Sequence, residues 1–219
     1  QVLGWCVLDS AAGEFDFFGV PGPQQSAIES ALLDWCSDHL LQRDPARRSL
    51  SVCFTYADDA PKRQLLKAQG YQASPFLAGF SQRLDALPEP LLSPGFRFLE
   101  AMHADYAAER ARAHAAAFAP TSRMTPDYYR IFMQAIDYDP AFDVVVLAPD
   151  GRIAAYAMTW PDPASGIGEF EPVGTHPDFQ RQGLGRAALL EGMRRLRACG
   201  HHEARVMAAA ENAGKITFY

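Results

Sequence analysis

Residues 2–8 and 14–20 are short, largely apolar runs, separated by the polar stretch 9–13 and closed by Pro21-Gly22-Pro23. That pattern predicts two strands joined by a turn. Between residues 27 and 41, Ile28, Ala31, Leu32, Trp35 and Cys36 recur at helical spacing, which predicts an amphipathic helix. Val52, Phe54 and Tyr56 share one face of a strand over 51–56. Residues 60–69 read as a helix stopped by Gly70, with a further strand through Tyr71. Pro88, Pro90 and Pro94 punctuate the stretch 82–95, which marks a domain boundary and gives domains at 1–90 and 91–219.

The second part opens with a strand at 96–99, an Ala-rich helix at 104–118 and another helix starting near Pro126. A hairpin of 144–147 and 153–160 turns across Pro149-Asp150-Gly151. A strand at 168–175, a helix at 184–199, a strand at 204–209 and a final helical segment at 212–219 complete it. The order β-α-α-β-β-β-α-β-α places this part in the α/β class.

Composition narrows the function more than the fold. The 219 residues are 48% apolar and 21% charged, sufficient for one large domain or two modest ones. Twenty Lys and Arg against 26 Asp and Glu give a net charge of -6, which argues against binding nucleic acid through its phosphates. The four Cys form no C-x-x-C pair and no Cys/His cluster, so neither a disulfide framework nor a metal site is expected, and reduced thiols point to the cytoplasm. No apolar run reaches 18 residues, so no membrane span is expected. The abrupt ends at Gln1 and Tyr219 read as cuts through structured chain.

The two parts echo each other. Pro21, Gln24, Ala27, Ile28 and Glu29 align with Pro177, Gln180, Gly183, Leu184 and Gly185. The second copy carries the chemistry. Along Thr175-His176-Pro177-Asp178-Phe179-Gln180-Arg181-Gln182-Gly183-Leu184-Gly185-Arg186 a strand runs into a glycine-bearing turn and directly into a helix. Unpaired N–H groups at the positive end of a helix suit a pyrophosphate, and Gly183 and Gly185 remove the Cβ atoms that would hold it away. Arg181 and Arg186 supply outer charge, and from 180 to 205 there are six Arg but only two carboxylates.

Other readings fit the same residues. Gly183-Leu-Gly185-Arg-Ala-Ala188 satisfies the dinucleotide fingerprint G-x-G-x-x-G/A, but a loop intervenes after the strand and Glu203 precedes its strand instead of ending it. No Lys-Ser/Thr follows, so it is not a Walker A loop. A tight helix start whose glycines serve packing alone is the remaining alternative.

Gln180-Arg-Gln-Gly183-Leu-Gly185 matches at every position the Q/R-x-x-G-x-G/A signature of the GCN5-related N-acetyltransferases, and the chain resembles that family from about Val144 onward. The end, Asn212-Ala-Gly-Lys215-Ile-Thr-Phe218-Tyr219, is similar to the family's N-x-x-A-x-x-L-Y, with Lys215 at the usual small residue. As a whole the chain resembles a tandem-domain member. The resemblance implies two such domains, each a mixed, largely antiparallel central sheet flanked by helices, the first incomplete at its start and the second at its end.

Acetyl-CoA is then the implied acyl donor. The resemblance assigns its diphosphate to Gln180, Arg181, Gln182, Gly183, Leu184, Gly185 and Arg186. It assigns the pantetheine arm to the backbone of Val173 and Thr175 and to Asn212. Tyr219 becomes the acid that protonates the departing thiolate, and Glu169 or Glu171 the base, directly or through water. Both carboxylates fall on one strand face and could instead bind a cationic amine. Asn212 reads equally as a helix N-cap. Phe118, Tyr128, Tyr129 and Trp160 are candidates to contact the acceptor, although each also fits a core pattern. His103 and His114 are candidates of the same kind, or surface histidines.

In the first part Ala27 and Glu29 replace the glycines, Leu66 replaces Tyr219 and Asp59 replaces Asn212. That domain is expected to be a structural partner, packing on the second or mediating a homodimer. The implied reaction is transfer of acetyl to a primary amine of a small molecule or a protein N-terminus. A non-catalytic acyl-CoA-binding regulator would keep the same turn.

Overall fold

Asp9 Oδ1 accepts hydrogen bonds from the N–H groups of Ala11 and Ala12 at 2.9 and 3.0 Å. This side-chain turn reverses the chain between β1 (Gly4–Asp9) and β2 (Glu14–Gly19), which pair antiparallel. Helix α1 (Gln25–Arg43) crosses over to β3 (Ser51–Val52), parallel to β2, and α2 (Ala60–Ala68) follows. Asp59 caps α2 by accepting from the Lys62 N–H at 3.1 Å. Phe15, Phe17, Leu33, Cys36, Leu40 and Leu66 form the core of these elements.

The computed structural model describes residues 1–53, 55–73 and 77–209, in two compact units, 1–74 and 75–219. Two local expectations for the first unit are corrected. The buried stripe of α1 is Glu29, Leu33, Cys36 and Leu40, while Trp35 is exposed and stacks on His39 at 4.8 Å. Glu29 explains the rotation: its carboxylate faces inward because it accepts from the Gly19 N–H (3.3 Å) and from Gln25 Nε2 (3.0 Å). No strand runs through Tyr71. The tyrosine packs edge-on against Phe15, and its hydroxyl pairs with Ser37 Oγ at 3.1 Å.

The second unit holds a six-stranded sheet in the order β4-β9-β8-β7-β6-β5. Its members are β4 (Leu77–Arg83), β5 (Arg97–Phe98), β6 (Asp143–Leu147), β7 (Ile153–Asp162), β8 (Ile167–Thr175) and β9 (Glu203–Ala209). Every pairing is antiparallel except β8 with β9. The unit boundary lies at 74/75 and not at 90/91, because β4 pairs with β9 along its whole length. The prolines at 88, 90 and 94 punctuate the connection from β4 to β5.

Helix α5 (Leu184–Ala198) covers one face of this sheet, through Leu184, Ala188, Leu189 and Leu196 against Val144, Ala157 and Phe170. Gly192 brings the helix close, since a Cβ there would stand 2.7 Å from the Phe170 ring. Helices α3 (Ala107–Ala117) and α4 (Pro126–Phe132) cover the other face, over Val145, Leu147, Tyr156 and Met158. Each unit therefore repeats one thread: an antiparallel hairpin, a crossover helix, and a strand parallel to the hairpin's second member. Both are mixed, largely antiparallel sheets flanked by helices, as the sequence resemblance implied.

Candidate active site

The turn between β8 and α5 is braced from outside. Arg152 donates to Asp150 (2.9 Å) and Asp178 (2.7 Å) while its guanidinium lies 4.6 Å from the Phe179 ring centroid. Its hydrogen bond holds the Asp178 carboxyl below the usual carboxylate range. His176 Nδ1 accepts from the Asp178 N–H, and Gln180 Nε2 donates to the Thr175 carbonyl at 3.4 Å. His176 thus caps the short 3-10 turn 177–179.

Beyond this brace the backbone enters the left-handed region twice, at Arg181 (φ 63°) and Gly183 (φ 75°). For arginine that conformation costs about 1–2 kcal/mol, and such strain is commonly kept where a ligand needs it. Among the described residues, no N–H from Arg181 to Arg186 has a protein acceptor; the first bonded amide is Ala187, to the Gly183 carbonyl at 2.9 Å. A Cβ on Gly183 would meet nothing within 4 Å, so open space lies beside the turn. Arg181, Gln182 and Arg186 are exposed around it, whereas Leu184 packs inward and anchors the helix start. The result is a cradle for an oxyanion at the positive end of a 15-residue helix.

Next to the cradle the sheet opens. Strands β8 and β9 pair only from Ile167↔Glu203 to Phe170↔Val206, after which β9 continues with β4 alone. The cause is a bulge: from Thr159↔Phe170 to Ala157↔Val173, β8 advances three residues while β7 advances two. Pro172 lies in the extra stretch and has no N–H to give a ladder. Past the bulge, the His176 N–H donates to the Ala154 carbonyl, so Gly174 also faces β7 and the main-chain groups of Val173 and Thr175 face the open edge. An extended chain with amide groups could pair there as one more strand.

On the α3/α4 side of the opening lies a buried polar cluster. Arg110 is fully buried; its Nε donates to Asp143 Oδ1 at 3.3 Å and its guanidinium stacks 3.5 Å from the Tyr156 ring centroid. Tyr129 and Tyr138 donate their hydroxyls to Asp143 Oδ2. Burial works against the charge on Arg110, but the Asp143 carboxylate outweighs it and the guanidinium stays protonated. Burial pushes Tyr156 up to about 12, and it lowers His114 to about 4 with help from the Arg110 charge.

The His114 shift has a measurable consequence. Its pKa falls from 6.5 to about 4 on folding, so native His114 stays neutral where the unfolded chain already binds a proton. Its contribution to stability is complete above about pH 6.5 and is lost as pH falls towards about 4. Melting temperature recorded across that window should drop in the wild type and drop less in His114→Gln.

Of the remaining candidates, Glu169 is exposed opposite Trp160, and Glu171 is exposed at the bulge, where its carbonyl accepts from the Trp160 indole N–H at 2.8 Å. The two flank the buried Phe170, so the expected alternation persists through Glu171, and the register shifts only beyond Phe170. Tyr129 is core, Tyr128 is exposed, and Phe118 stacks on His114 at 4.7 Å. Asn212 and Tyr219 lie outside the described residues. Sequence reasoning missed Arg110, Asp143 and Tyr156; an arginine on the Ala107, Ala111 and Ala113 face of an Ala-rich helix was the available signal.

In the first unit the last strand amide before the equivalent turn is occupied. The Gln25 N–H bonds to the Gly22 carbonyl, and Glu29 fills the Gly19 N–H with its own carboxylate. An internal anion thus occupies the strand amide that aligns with that of Thr175.

A profile of the acetyltransferase (GNAT) family matches residues 105–219. A mycothiol acetyltransferase of Saccharopolyspora erythraea is 35% identical over 100 residues, 44% of this chain and 31% of that protein. One from Arthrobacter sp. is 33% identical over 86 residues, 37% and 27% of the two chains. The chain thus spans less than a third of these relatives. Among solved structures, a GCN5-related N-acetyltransferase from Sphaerobacter thermophilus superposes with a TM-score of 0.75 at 19% identity, over 96% of this chain and 70% of that one. A tandem GNAT protein from the clavulanic acid biosynthesis pathway gives 0.69 at 16% identity, over 94% and 70%. Among the described residues no helix is long and apolar enough to cross a membrane. With the profile covering more than half of its length, this chain belongs to the acetyltransferase (GNAT) family.

Proposed function

We propose that the chain is a tandem-domain N-acetyltransferase that moves an acetyl group from acetyl-CoA to a primary amine. Its second unit would do the chemistry and its first would be a degenerate structural partner. One observation carries this reading: among the described residues, six consecutive amides, Arg181 to Arg186, have no protein acceptor, and they lie beside a strand edge that has lost its neighbour. The residues present fit acetyl-CoA. The amides and the exposed Arg181 and Arg186 would hold the diphosphate, and Val173 and Thr175 would hold the amide-bearing arm. Bound there, acetyl-CoA supplies an activated thioester.

The remaining work falls to side chains. Glu171, at the bulge, and Glu169, two residues earlier, are the carboxylates that could take a proton from the incoming ammonium. Tyr219 would give a proton to the departing sulfur, whose pKa near 8.5 benefits from an acid. The acceptor class, a small-molecule amine in preference to a protein N-terminus, follows the names of the mycothiol acetyltransferases. The first unit, with Glu29 at the position aligned with Gly185, would not bind a second donor.

The test is thiol release from acetyl-CoA with a panel of primary amines, on wild type and Tyr219→Phe. Amine-dependent release that falls at least about tenfold in kcat, with KM for acetyl-CoA little changed, supports the assignment. Acetyl-CoA binding without release by any amine would make the protein a non-catalytic acyl-CoA binder.

A further inference from the structure

His114 stands where α3 faces the opened strands. Its ring lies parallel to Tyr156, centroids 6.2 Å apart, and the Tyr156 hydroxyl sits where a Cβ on Gly174 would collide with it. Gly174 lies between Val173 and Thr175, the two residues whose main chain faces the open edge. The histidine is therefore one aromatic ring away from the strand that would carry the acyl donor.

Its hydrogen bonding is directional. The Met124 N–H donates to Ser122 Oγ at 3.2 Å, and Ser122 Oγ lies 2.8 Å from His114 Nδ1. The oxygen can accept twice, but among the described residues Nδ1 is the one acceptor in reach of the hydroxyl's own proton, which is satisfied by donation to it. The proton of the neutral ring is then on Nε2, which has no partner among the described residues and belongs to a half-buried ring. Arg110, stacked on the other aromatic partner, opposes a second proton. His114 thus offers one uncharged donor beside the opening, and a neutral donor seeks a neutral oxygen. An ammonium gains nothing from it.

We propose that His114 determines acceptor specificity, its Nε2–H donating to a hydroxyl oxygen carried by the amine substrate, so that amino alcohols and amino sugars are preferred over plain alkylamines. This rests on the reading of the open edge as the acyl-donor site. Ser122 acts as a positioning residue that fixes the tautomer.

The experiment compares 2-aminoethanol, 3-aminopropan-1-ol, 4-aminobutan-1-ol and glucosamine with propylamine, butylamine, pentylamine and cyclohexylamine as acceptors, by kcat/KM. Wild type should favour the best hydroxyl-bearing amine over its alkyl match by about tenfold, the scale of one hydrogen bond. His114→Phe should remove that preference, through KM of the amino alcohol, while leaving alkylamine transfer and acetyl-CoA affinity near wild type. His114→Gln, which keeps an N–H, should restore part of the preference, and Ser122→Ala should weaken it. Equal kcat/KM for the pairs in wild type, or a preference that survives His114→Phe, overturns the proposal while the acyl-donor site stands. Failure of wild type to bind acetyl-CoA would remove the site reading itself and this proposal with it.

Discussion

Gly185→Glu should abolish acetyl-CoA binding while leaving the protein folded. Gly185 is the second residue of α5, inside the run of unbonded amides, and its N–H points out of the helix N-terminus. A carboxylate there would offer those amides an internal anion and repel the diphosphate. In the first unit Glu29, at the aligned position, is buried and bonded to the Gly19 N–H. A loss of at least about a hundredfold in affinity is expected, since a like charge beside a desolvated anion costs several kcal/mol. Calorimetric titration gives the affinity, and an unchanged circular dichroism spectrum separates lost binding from lost fold. Retained affinity would mean that the diphosphate lies elsewhere.

The largest stability effect should come from Arg110→Met. The arginine is fully buried, and it compensates the equally buried Asp143. Removing one partner of such a pair costs about 3–5 kcal/mol, because the other charge stays behind without water. The tyrosine hydroxyls of Tyr129 and Tyr138 still reach Asp143, which favours the lower end. At about 2–4 °C per kcal/mol for a unit of this size, the melting temperature should fall by about 10 °C. Adding Asp143→Leu removes the stranded carboxylate and should recover part of the loss. Two terminal guanidinium nitrogens of Arg110 already lack partners among the described residues, so the pair is not kept for perfect hydrogen bonding. Its stack on Tyr156 ties it to the floor beneath Gly174.

Local pattern carried the glycine turn well. Gly183 takes φ 75°, which glycine tolerates and other residues resist, so its place at a helix start announced the turn. Pro172, which has no N–H to give a ladder, stands just past the last β8–β9 pair, a break that the sequence carries in that one residue. Less was legible where long-range contacts decide. The stripe of α1 is set by Glu29 reaching Gly19, a pairing that no apolar periodicity can report. Residues 77–81 carry no predicted element and 82–83 fall in the proline-punctuated boundary, because nothing local reveals that β9, more than a hundred residues later, pairs with them. Arg110 was hidden for a related reason: its burial depends on Asp143, 33 residues away. The three-for-two register shift beyond Phe170 likewise arises between strands.

The central claim is that the free amides of 181–186 and the open edge at 173–175 receive the acyl donor together. Amide NMR of the full chain, titrated with acetyl-CoA, tests it most directly. The account predicts saturable shifts concentrated at Val173, Thr175 and Arg181 to Arg186, with the first unit's Gly19 and Gln25 unmoved. Saturable binding that leaves the 181–186 amides in place, or shifts the first unit instead, would contradict it.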